Sequence, residues 1–204
     1  MNSNKQILIG VDPGDTHTGL TLVGEFGILH SEHISNFLLI DFIYRLKEEN
    51  NSVLVIIEDM RPYNMRINDN VINTIKYIGQ IEWRLQELKI KYLLVPRWQI
   101  KNWVHWKYRD MCAVEINKKI EYAAVRKAKI LGIEDDGKRR KESYVYVDDR
   151  IVERGMRLWW DIKKPKVGQK VAFGLKTHGW SALAMVTFYI EKHAPSFLQK
   201  KASD

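Results

Sequence analysis

Three side chains are of a type, and in places, that could hold a divalent cation: Asp12, Glu58 and His178. Asp12 ends the apolar run Ile7-Leu8-Ile9-Gly10-Val11 at an Asp-Pro-Gly turn, so a carboxylate stands at the mouth of a strand. Glu58, followed by Asp59, ends a second run, Val53-Leu54-Val55-Ile56-Ile57. His178 lies where an apolar helical stretch begins. Two carboxylates and an imidazole offer hard oxygen donors and one nitrogen, a set that suits Mg²⁺ or Mn²⁺ better than a thiol-preferring metal. Two such ions about 3.5 to 4 Å apart activate water and stabilise the leaving oxygen in phosphodiester cleavage. Each residue also has an ordinary role. Asp-Pro-Gly is commonly only a turn, and a histidine at a helix start caps it or faces solvent; the three together point to a metal site. His17, His30, His33, His105 and His193 show no ligand spacing and receive no role.

The elements that must position these groups can be read from the apolar pattern. Residues 6–11, 18–24 and 26–33 are strand-like, with a tight connection at 24–27, and suggest an antiparallel meander. Ser35 is placed to cap an amphipathic helix carrying Phe37, Leu38, Ile40, Phe42, Ile43 and Leu46. The run 53–57, continuous and β-branched, predicts a central strand covered on both faces. A polar loop over 61–69 leads to a long helix over 71–88, with Ile72, Ile75, Ile78, Trp83 and Leu85 inward. A buried strand at 92–95 stops at Pro96, and 98–106 reads as a short helix. Residues 113–131 have helical composition, 134–143 form a charged loop, and 147–160 regain helical spacing. Thr177 opens the final helix with Ala182, Leu183, Met185, Val186 and Tyr189.

The chain has 204 residues, enough to bury a substantial core and most simply a single domain. Its 33 Lys and Arg against 25 Asp and Glu leave a formal charge of +8, which favours a polyanionic partner such as nucleic acid. One cysteine, Cys112, excludes an internal disulfide and a cysteine-rich zinc site, and fits a reducing, cytoplasmic compartment. No signal-peptide stretch or membrane span is expected.

The order β-β-β-α-β-α-β-α matches an α/β fold of the RNase H-like type, a mixed five-stranded sheet with three antiparallel and two parallel strands flanked by helices. Its first and fourth strands lie side by side, which would bring Asp12 and Glu58 together and let His178 join them. At these residues the chain resembles the RuvC-like Holliday-junction resolvases. Ile9-Gly10-Val11-Asp12-Pro13-Gly14 is similar to the family's opening strand, Ile56-Ile57-Glu58-Asp59 to its second acidic strand, and YLLVPRWQIKNW to the strand and substrate-side helix that follow. The final helix begins His178-Gly179-Trp180-Ser181-Ala182-Leu183-Ala184. There the family has Asp or His and then, three residues on, an Asp.

Here that second position is Ser181, a neutral and weak ligand. Either His178 closes the site with Ser181 holding a water, or another acid enters, with Asp148 and Asp149 as candidates. N-capping is the commoner reason for an acid at a helix start. An inactivated site is the third alternative. The reading adopted is a catalytic set of Asp12, Glu58, His178 and Ser181, with Asp12, Glu58 and His178 as the metal ligands and Mg²⁺, replaceable by Mn²⁺, as the cofactor.

The resemblance further implies branched DNA, above all four-way junctions, as partner, in a bacterial or phage setting. It implies that the loop after Glu58 probes the junction, with Tyr63 as a wedge and Arg61 and Arg66 on phosphates. It also implies that the helix over 71–88 forms a homodimer interface, so that two sites related by a two-fold axis cut opposite strands. Relative to the family, residues 110–145 look like a helical, charged insertion and 194–204 like a tail.

Basic runs are usually solvated faces, yet Lys138, Arg139, Arg140 and Lys141 precede the last helix and are read as DNA contacts. In Arg97-Trp-Gln-Ile-Lys-Asn-Trp-Val-His-Trp-Lys-Tyr-Arg109, Lys101 and Lys107 are read as phosphate contacts and the tryptophans mainly as packing. Two alternatives stand beside the nuclease. One is a non-catalytic branched-DNA-binding protein of the same fold, motivated by Ser181. The other is an actin-like phosphotransferase or ATPase, whose phosphate loop the segment Asp-Pro-Gly-Asp-Thr-His-Thr-Gly also resembles.

Overall fold

Alternation along the first apolar run decides the layers. In β1 (Gln6–Pro13), Ile7, Ile9 and Val11 point to one face of a sheet and Leu8, Gly10 and Asp12 to the other, and both faces are covered. The computed structural model describes residues 6–49, 52–61, 67–108, 149–165 and 172–198. β1 pairs antiparallel with β2 (His17–Gly24), which pairs antiparallel with β3 (Gly27–Ser35). On its other side β1 pairs in parallel with β4 (Ser52–Asp59), and β4 with β5 (Lys91–Pro96). The strand order is β3-β2-β1-β4-β5, the three-antiparallel, two-parallel sheet expected from the sequence.

α1 (Asn36–Glu48) and α2 (Asp69–Glu87) cover the face that carries Ile7, Ile9 and Val11, where Ile9, Leu20, Val55 and Ile57 meet Leu39, Ile43, Ile81 and Leu85. α3 (Arg97–Lys107), α4 (Asp149–Trp159) and α5 (Thr177–His193) cover the other, packing Ile100, Val104, Met156 and Leu183 on Leu8 and Ile56. Each fully buried Leu or Ile contributes roughly 1.5–3 kcal/mol, so two such layers hold the central strands from both sides. Parity has a second result: Asp12 follows Leu8 and Gly10, and Glu58 follows Leu54 and Ile56, so both carboxylates emerge on the α5 face.

Several local expectations change. Asn68, whose side chain accepts from Val71 N at 3.0 Å, starts α2 two residues early. The buried stripe of α2 is Thr74, Ile78, Ile81 and Leu85, leaving Ile72, Ile75 and Trp83 exposed. Positions 74, 78, 81 and 85 follow the i, i+4, i+7, i+11 line of one helix face, and the three exposed residues lie off it. Ser35 sits at the α1 N-cap position without a side-chain cap bond. β5 is an edge strand, half-buried rather than enclosed, with Leu93 exposed. In α3 only Trp103 of the three tryptophans is buried; Trp98 and Trp106 face solvent, because Ile100, Trp103 and Val104 already define the inner stripe. The predicted helix at 113–131 and the loop at 134–143 lie outside the described residues. Among the described residues no helix is long and apolar enough to cross a membrane.

Candidate active site

The sheet register builds the site. Val11 and Ile57 are partners across β1 and β4, so Asp12 and Glu58 leave neighbouring strand ends side by side. Both are buried. Burial, and then the negative charge of Asp12, push the Glu58 carboxyl up to about 8, against the downward pull of Arg97. A hydrogen bond between the two carboxyl groups acts in the same upward direction. Glu58 therefore holds its proton more tightly than an ordinary carboxyl, because losing it would set two buried negative charges facing each other.

α5 delivers the third group. His178 Nδ1 lies 2.9 Å from Asp12 Oδ2, and this bond raises the imidazole pKa above its ordinary value despite partial burial. The approach depends on glycine. Gly19 is the β2 partner of Asp12, and its missing side chain is the space that His178 fills. Further into the sheet, Gly10 makes room in the same way for the Ala182 carbonyl.

Next to His178 stand two histidines that sequence reasoning left without a role. The His33 ring is parallel to His178, with centroids 5.2 Å apart, and His17 stacks on His33 at 5.3 Å. Burial first, and then His178, His17 and Lys176, lower the His33 pKa. Gly19 and His33 are partners across β2 and β3, so Asp12, Gly19 and His33 form one row with His178 above it. This row follows from strand register, which ligand spacing along the chain does not express.

Arg97 is the other residue that sequence reasoning missed. Glu58 is the β4 partner of Val95, and the chain turns at Pro96 straight into α3, so Arg97 arrives beside Glu58. Its Nη1 donates to Glu58 Oε1 at 3.0 Å and its Nη2 to Asp149 Oδ1 at 3.3 Å. A basic residue directly after a strand that neighbours an acidic strand end was the available signal. Asp149 is the first residue of α4. Glu58, Arg97, Ile100, Lys101, Asp149, Val152 and Ser181 line one narrow cleft. Ser181 thus sits one helical turn from His178 on the cleft side of α5.

The remaining sequence candidates are dispersed. Lys101 is turned into the cleft, 3.9 Å from Asp149. Lys107 pairs with Glu191 and lies 4.2 Å from the Trp159 ring centroid. Arg61 bonds Asp59 at 2.6 Å. Tyr63, Arg66, Lys138, Arg139, Arg140, Lys141 and Asp148 lie outside the described residues.

The donor set fits a hard divalent cation. A proton and a guanidinium already supply the positive charge that two buried carboxylates need, and both positions are ones a cation can take over. Among the described residues no three His, Cys, Asp or Glu side chains form a ready-made metal cage; His178 is engaged by Asp12, and Glu58 by Arg97.

A mixed sheet of this order, with acids at the ends of β1 and β4 and a last helix across them, is an RNase H-like fold. Within that class the chain is similar to RuvC. The structure of Thermus thermophilus RuvC matches with a TM-score of 0.51 and 16% identity, over 91% of this chain and 95% of that one. The structure of T. thermophilus RuvC in complex with a Holliday junction substrate matches with a TM-score of 0.43 and 16% identity, over 92% and 97%. No protein-family model and no curated protein matches the sequence. The chain has a RuvC-like fold.

Proposed function

We propose that the protein is a divalent-metal-dependent, structure-selective DNA endonuclease that acts on four-way junctions as a homodimer. The observation that carries this reading is the meeting of Asp12, Glu58 and His178 at one point of a RuvC-like fold. The junction as substrate follows the sequence resemblance to the RuvC-like resolvases.

In this reading Asp12, Glu58 and His178 would hold the Mg²⁺ or Mn²⁺. The metal supplies Lewis acidity toward the scissile phosphate and a nucleophilic water at neutral pH. The protein supplies the rest. Glu58 gives up its buried proton to bind, so metal affinity rises with pH. Asp12 orients the imidazole through Nδ1, which leaves Nε2 for a ligand. Arg97 and Lys101 bring positive charge to the cleft where a phosphate would enter, and Ser181 offers a hydroxyl to water. Phosphate contacts fall to Arg61, Arg66, Lys107 and the run Lys138, Arg139, Arg140 and Lys141, with Tyr63 as the wedge.

Dimerisation is supported by α2. Ile72, Ile75 and Trp83 are exposed there, and open space lies over Gly79 between them. An apolar helix face with a small residue at its centre suits a second copy of the same helix.

The test is cleavage of a labelled immobile four-way junction beside linear duplex and fork of the same sequence, in Mg²⁺, Mn²⁺ and EDTA. Paired, metal-dependent nicks across the junction are expected. Tight junction binding without a cut in either metal would instead favour the non-catalytic reading that Ser181 motivates. Nucleotide hydrolysis without DNA would favour the actin-like one.

A further inference from the structure

We propose that Asp149 is a metal ligand of this site, entering from α4 where the carboxylate expected on α5 is replaced by Ser181. The inference rests on the metal-dependent reading above and adds to it a residue on a different element.

Three observations converge on Asp149. First, Glu58 and Asp149 bind the two terminal nitrogens of a single guanidinium, at 3.0 and 3.3 Å from Arg97. The two carboxylates thus flank one cationic group, from two different elements. Second, Ser181 lines the same cleft as Glu58 and Asp149, so the neutral hydroxyl and the additional carboxylate face one volume from two helices. Third, the Asp149 side chain is 56% exposed and Arg97 33%. A half-exposed pair is weakly held and readily exchanged. Lys101, 3.9 Å away on the same oxygen, keeps the carboxylate turned into the cleft.

Charge balance gives the reason for an added ligand. Asp12 and Glu58 carry two negative charges once deprotonated, and a neutral His178 adds none, against four positive charges on two divalent ions. A third carboxylate reduces the repulsion between the ions, which a serine hydroxyl cannot do. An acid in the first turn of a helix is also favoured by the helix dipole, but that role requires neither Arg97 nor a place opposite Ser181.

The experiment is calorimetric titration of the full 204-residue chain with Mn²⁺, without DNA, for wild type, Asp149→Asn, Ser181→Asp and the double variant. Asp149→Asn is expected to weaken Mn²⁺ binding by at least about tenfold, the scale on which loss of even an outer metal contact is felt, or to abolish one of two binding events. Ser181→Asp in the Asp149→Asn background is expected to restore it, because it returns a carboxylate to the cleft from the other helix. Unchanged Mn²⁺ binding by Asp149→Asn, or a loss that Ser181→Asp does not restore, overturns the assignment and leaves Asp149 a helix-start acid. Absence of Mn²⁺ binding by the wild type would overturn the metal-dependent reading itself, and this inference with it.

Discussion

Gly19 lies directly beneath His178: a β-carbon on Gly19 would fall 2.4 Å from His178 Cβ and 2.6 Å from its carbonyl oxygen. The neighbours are partly backbone, so no side-chain rotation relieves the overlap. Gly19→Ala must lift the start of α5, and with it the imidazole, away from Asp12. The expected outcome is a loss of roughly 1–3 kcal/mol of stability, typical of overpacking, measured by urea unfolding, together with loss of junction cleavage. Wild-type stability and activity in this variant would show that α5 has slack the packing does not reveal.

Asp12 touches the imidazole and faces Glu58, so its charge is central to the proposed chemistry. Asp12→Asn keeps the shape and removes that charge. Junction cleavage is expected to fall by more than about 10²-fold, while binding in a mobility-shift assay stays within a few-fold of wild type. Joint loss of cleavage and binding would place Asp12 in folding or assembly.

The buried carboxyl pair makes metal-free stability depend on pH. Glu58 ionises near 4.5 in an unfolded chain and near 8 when folded. Between those values the folded state binds the extra proton, so stability falls as pH rises through the window. His178, raised by Asp12, contributes in the same sense: its stabilisation is present below the ordinary imidazole range and disappears as pH rises through its folded value. Urea unfolding without metal should therefore show the protein less stable at about pH 9 than at about pH 5.5, by on the order of a few kcal/mol. Glu58→Gln should flatten that slope, and added Mg²⁺ should recover stability on the alkaline side by binding only the folded state.

The exposed face of α2 provides a test of assembly. Ile75→Asp and Trp83→Asp place charges on the α2 face where Ile75 is 37% and Trp83 57% exposed. Sedimentation velocity should find the wild type dimeric and the double variant monomeric, with its melting temperature close to that of the wild type. A monomeric wild type, or a dimer indifferent to both charges, would move the interface elsewhere.

Much of this architecture can be read along the chain because strands and helices impose their own periods. The run from Ile7 to Val11, the β-branched run before Glu58 and the apolar stripe after Thr177 each name an element, and their order alone fits one sheet topology. That topology also brings Asp12, Glu58 and His178 together, since each stands at the end or start of an element whose place is set. Less legible was which side of α2 faces inward. Ile72, Ile75 and Trp83 are as apolar as Ile81, and only contact with the sheet distinguishes them.

Within the site the division is sharper. The sequence by itself determined the two strand-end acids, the helix-start histidine, the absence of a carboxylate at Ser181 and the net positive charge. These are properties of residue type and of position within one element. Tertiary structure alone decided that Arg97 bridges Glu58 and Asp149, that His17 and His33 stack beside His178, and that Gly19 opens the space beneath it. Those relationships join residues on different elements, and they arise from strand register and helix packing, which no spacing along the chain encodes.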